Sequence, residues 1–141
     1  MIELNKELSP AVQDSILGIY EKMVMDSEVD QFGYVNSRIL QKIALLQNSG
    51  DRMERYISAY ARIIHELLLY EIKDGPAGEH HKYMTSALYY FCDPYDYIPD
   101  LNRDEGYIDD ALVFNQCLAM IKELSSETYS HIENFIRDSN I

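Results

Sequence analysis

Seven carboxylates crowd into 23 residues of this 141-residue chain. They lie between Tyr89 and Ala111, in YYFCDPYDYIPDLNRDEGYIDDA, where Asp93, Asp96, Asp100, Asp104, Glu105, Asp109 and Asp110 face one base, Arg103. Side chains of this kind serve two ends. Hard cations such as Mg²⁺, Mn²⁺ or Ca²⁺ take several oxygen ligands. Asp96, Asp100, Asp109 and Asp110 are the set that a folded-back turn would aim at one ion, and carboxylate pairs around an ion can support metal-assisted hydrolysis. The other end is architectural. Asp in turns accepts backbone N–H bonds, and a carboxylate at a helix start is stabilised by about 0.3–1 kcal/mol through the helix dipole. The architectural use is the better supported of the two, because turn-forming Asp is commonplace.

Other chemistries find less to stand on. Starting at Asp100, an EF-hand register puts Glu105 where glycine is needed and Ala111 where the bidentate Glu belongs, so it fails. His65-Glu66 opens like a zinc-protease helix, but Leu69 stands where the second His should be. His80 and His81 are adjacent, and neighbouring helical side chains diverge, which argues against a shared ion. His131 is isolated. No Gly-x-Ser-x-Gly elbow or glycine-rich phosphate loop occurs, and the only cysteines, Cys92 and Cys117, sit in apolar surroundings. These absences weigh against an enzyme. The chain has 12 tyrosines and no Trp. Several tyrosines surround the acidic stretch, so Tyr95, Tyr97, Asp104, Glu105 and Tyr107 form a candidate protein-binding patch. The competing use is hydroxyls bonded to nearby carboxylates inside the core.

The elements that position these residues read as helices. Ser9-Pro10 is an N-cap and first-turn pair, followed by the apolar face Val12, Ile16, Ile19, Tyr20 and Met23. Residues 27–34, acidic and containing Gly33, read as a loop. Asn36 or Ser37 then caps a second helix carrying Ile39, Leu40, Ile43 and Leu46, with Gly50 placed for a left-handed close. Asp51 caps the clearest helix, in which Met53, Tyr56, Ile57, Tyr60, Ile64, Leu67 and Leu68 recur at threes and fours until Asp74-Gly75-Pro76. A fourth helix runs from Glu79 to Cys92 and stops at Asp93-Pro94. Beyond the acidic connection neither Gly nor Pro occurs from Tyr107 onward, and a change of apolar phase splits this tail into two helices at Ser125-Ser126. The expectation is an all-α compact bundle of five or six helices in one domain, residues 1–141, with a helix–acidic turn–helix hairpin in its second half.

Composition narrows the partners. The net charge is −12, and residues 76–141 carry most of it, with 12 acids against 4 bases. Such a chain is repelled by nucleic acid and by anionic membranes and is suited to a basic protein surface. No apolar run reaches the ~18 residues of a membrane span. The N-terminal MIELNKELSP lacks a signal-peptide pattern, and two unpaired thiols suit a reducing compartment, so a cytoplasmic location is expected. The wide apolar circumference of the third helix near Ile63–Tyr70 suggests a homodimer surface.

One stretch resembles a known family. Pro94, Asp96, Ile98, Pro99, Asp100, Gly106, Tyr107, Asp109 and Asp110 match, in order, the signature of the YkvA-like family, a bacterial domain of unknown function. The resemblance covers about residues 79–124 and implies a helical hairpin. Asp93 replaces the family's usual Ser, and Leu101 to Glu105 replaces a commonly apolar connection, so the family's partial membrane association is not carried over. Its activity is unsettled, and the resemblance therefore constrains fold rather than function. The functional expectation is a soluble, non-enzymatic interaction or regulatory module, such as an immunity or antitoxin protein neutralising a basic target. The alternative is a divalent-metal protein with hydrolase activity.

Overall fold

The computed structural model describes residues 1–26, 29–73, 77–93 and 107–141. Six helices run through them: α1 (Pro10–Met25), α2 (Val29–Leu46), α3 (Arg52–Ile72), α4 (Glu79–Cys92), α5 (Ile108–Leu124) and α6 (Ser126–Asp138). Among the described residues there is no strand, and the all-α expectation holds.

Local chemistry sets most of the boundaries. Ser9 Oγ accepts from Val12 N at 3.3 Å and opens α1. The carboxylate of Asp51 accepts from Met53 N at 2.8 Å and opens α3. Ser125 serves twice, as the last residue of the α5 boundary and as the cap whose hydroxyl accepts from Thr128 N. Each cap satisfies a first-turn N–H that would otherwise lack a partner.

The reading of residues 27–34 as a loop is overturned in part, because α2 begins at Val29 and runs straight through Gly33. Phe32 and Tyr34 pack on the core ahead of the buried stripe Val35, Ile39, Ile43 and Leu46, and this apolar face extends the helix backward. A helical glycine costs about 1 kcal/mol relative to Ala. Burying one large apolar side chain returns about 1.5–3 kcal/mol, so packing wins. The supposed caps have other partners: Ser37 Oγ donates to Tyr34 O at 2.8 Å, and Asn36 Oδ1 lies 2.8 Å from His65 Nε2. Gly50 is not left-handed either. The α2–α3 turn is closed instead by Ser49 N on Leu46 O, 3.2 Å, and by the Arg55 guanidinium on Ser49 O, 2.7 Å.

The apolar breadth of α3 is explained by its position. It packs against α2, α4, α5 and α6 at once. Ile57, Tyr60, Ala61, Ile63, Ile64 and Leu68 are all buried, leaving Leu69 and Tyr70 as its exposed apolar side chains. The other inner helix, α4, lies on α1, α2, α3 and α5 and buries Met84, Ala87, Leu88 and Phe91. Phe91 meets Phe114 of α5 at 5.7 Å between ring centroids. No helix among the described residues is long and apolar enough to cross a membrane.

Candidate functional site

In sequence the acidic stretch lies between α4 and α5. Asp96 and Asp100 of the expected metal set lie outside the described residues, as do Tyr95, Tyr97, Asp104 and Glu105 of the expected patch. Asp109 and Asp110 occupy the first turn of α5 and are buried, 5% and 8% exposed. There the N-terminal dipole favours negative charge, but a carboxylate out of water also needs hydrogen-bond partners. Tyr90, near the end of α4, supplies one: its hydroxyl donates to Asp109 Oδ2 at 2.8 Å. Tyr107 precedes α5 and is half-buried, with the Lys42 ammonium of α2 5.3 Å from its ring centroid. The described end of the motif thus ties α5 to α4 and α2.

Nucleophilic chemistry has no support at the thiols. Burial pushes Cys92 up to about 12, with the Lys42 charge opposing. Burial likewise takes Cys117 to about 12, against a hydrogen bond with Tyr20. Both stay protonated near neutrality and are shielded from solvent.

A second cluster was hidden in the sequence. Glu71 on the last turn of α3 meets the first turn of α4, where His80 Nε2 lies 2.8 Å and His81 Nε2 2.9 Å from Glu71 Oε1. From α6, the Thr128 hydroxyl reaches the same carboxylate, 2.9 Å from Oε2. Burial alone would raise the Glu71 pKa, but the bonds from His80, His81 and Thr128 outweigh it and hold the carboxyl below its ordinary value. The two adjacent rings, expected to diverge, stand 4.0 Å apart between centroids. The reason is the helix start. His81 is the third residue of α4, and its Nδ1 turns back to accept the N–H of Gly78 at 2.7 Å while His81 N donates to Gly78 O at 3.1 Å. This is the N3 half of a capping box with His in the Glu position; glycine has no side chain for the other half, and its backbone carbonyl takes the His81 N–H. An Nδ1 that accepts places the ring proton on Nε2, from which it donates to Glu71. A Cβ on Gly78 would come within 3.0 Å of the His80 ring, so the absence of a side chain there lets that ring pass over the backbone. The Gly-x-x-His spacing is the one local signal that points to this fold-back.

The remaining histidines stand apart. Buried His65 pairs with Asn36, and His131 is exposed on α6. Among the described residues, Glu71, His80 and His81 form the group of potential metal ligands, all three donor atoms within 4.8 Å of one another. Comparison of the chain with family models, curated proteins and solved structures finds no match.

Proposed function

We propose that this protein is a YkvA-like, non-enzymatic interaction or regulatory module that engages the basic surface of a partner protein, in the manner of an immunity or antitoxin inhibitor. The observation that carries this reading is how the carboxylates are divided. Asp109, Asp110 and Glu71 are taken into the scaffold, where a tyrosine donor meets Asp109 and histidine and threonine donors meet Glu71. Asp14 and Glu21 on α1, Asp26 just after it, and Glu123, Glu127 and Asp138 near the end of the chain are exposed. A chain of net charge −12 steers toward cationic partners and speeds their encounter. The inert thiols fit a role without covalent chemistry.

The test begins with a partner cross-linked in its native cell, purified and recombined with this chain. The association rate should fall about tenfold or more from low to high salt. The paired reversal Glu123→Lys and Glu127→Lys should slow it further, with dissociation little changed. A salt-insensitive rate would overturn the reading. So would a saturable rise in melting temperature with Mg²⁺, Mn²⁺ or Ca²⁺ that Asp109→Asn abolishes, which would put a cation in the acidic hairpin instead.

A further inference from the structure

We infer that Glu71, His80 and His81 form a binding site for a borderline transition-metal dication of the Zn²⁺ or Co²⁺ type, at the junction of α3, α4 and α6. Two imidazole nitrogens and one carboxylate oxygen suit such ions, whereas Mg²⁺ and Ca²⁺ prefer oxygen alone. The three donor atoms already lie within 4.8 Å of one another. Bonds of about 2.0–2.2 Å to a tetrahedral ion set its ligands roughly 3.4 Å apart. The present 2.8 and 2.9 Å separations from Glu71 Oε1 therefore open by about half an ångström on loading. The side chains of His80 and Glu71 are 15% and 21% exposed, which gives the ion a path in and leaves a position for water.

The protons balance within each ring. A histidine that ligates through Nε2 gives up the proton there and carries one on Nδ1, so both rings remain neutral. For His81 this has a structural consequence. Its Nδ1 now accepts from Gly78 N, and with a proton on Nδ1 that amide must turn away. Loading thus exchanges the Gly78 cap for a metal–nitrogen bond. Thr128 now reaches both oxygens, Oε1 at 3.1 Å and Oε2 at 2.9 Å, and on loading keeps the Oε2 contact while Oε1 turns to the ion, as outer hydrogen-bond partners of metal ligands do.

The experiment titrates Co²⁺ into the chelator-treated, desalted full chain. One equivalent should bring up visible absorption bands that Zn²⁺ then abolishes, and the Gly78 amide signal should shift over the same equivalent. His80→Gln and Glu71→Gln should each weaken binding about tenfold or more, while His131→Gln retains it. Circular dichroism confirms that each variant is folded, and if Glu71→Gln is not, His80→Gln carries the test, its ring lying at the edge of the cluster. Absence of a stoichiometric band in the unaltered chain, or equal affinity in folded His80→Gln, would overturn the assignment and leave the cluster a hydrogen-bonded clasp.

Discussion

Thr128→Val removes one hydroxyl from the α3–α6 contact and almost nothing else. The side chain is 4% exposed, and valine nearly matches its shape. Its hydroxyl lies 2.9 Å from Glu71 Oε2 and accepts from Ser125 Oγ at 2.9 Å. A hydrogen bond to a charged group contributes about 1.5–3 kcal/mol to stability. Glu71 is 21% exposed, so water recovers part of the loss, and a cost of about 1–2 kcal/mol is expected. With an unfolding entropy of about 2.1 cal/mol/K per residue, this chain loses roughly 3–7 °C of melting temperature. The measurement is urea unfolding followed by circular dichroism in metal-free buffer, with the transition treated as two-state. Glu71→Gln and the double variant complete a cycle whose coupling should be about 1 kcal/mol. A cost for Thr128→Val below about 0.5 kcal/mol, or the same cost with Gln at position 71, would refute the cluster as a bond between α3 and α6.

Three further outcomes follow from the same geometry. Burial lowers the His65 pKa, with Glu66 opposing, so below about pH 6.5 the unfolded chain binds a proton that the folded one resists. Stability should decline as pH falls through that range and recover as it rises, and urea titrations of His65→Gln should lack this component. A pH-independent difference between the two proteins would count against it. Gly33→Ala lies inside α2 with open space around the added methyl and should stabilise by about 0.5–1 kcal/mol at unchanged m-value; a neutral or unfavourable result would restore a loop there. Cys92 and Cys117 should be silent toward a thiol reagent at about pH 8 in the native state and react fully once unfolded; rapid native labelling would contradict their burial and raised pKa.

What could be read from the chain is what neighbours in sequence decide. Ser9-Pro10, Asp51 and Ser125 announce helix starts because their side chains reach N–H groups two or three residues on. The Glu79–Cys92 helix was readable because Asp93-Pro94 forbids another turn. Gly33 misled because propensity argues locally for a break, whereas Phe32 and Tyr34 are held by packing that no window reveals. For the same reason the broad apolar face of α3 read as a surface for a second copy. The structure uses most of it for four neighbouring helices.

The two polar sites show where reading by spacing stops. An acidic pair after Gly-Tyr at a helix start is compatible with ligation and with support of the dipole. Tyr90, 19 residues earlier, answers Asp109 directly, and only the α4–α5 contact brings it there. The Glu71 cluster lies further from sequence logic. Its members are 9, 10 and 57 residues from Glu71, on three helices, and the adjacent histidines converge because a helix start frees the third residue to fold back on its cap. Periodicity rules describe helix interiors, where neighbouring side chains diverge by about 100°. At the first turn the orphan N–H groups compete for side chains, and that competition turns His81 toward Gly78 and carries its other nitrogen to Glu71. Chemistry-bearing residues in the opening turn of a helix are therefore better read against the cap than against the helical wheel.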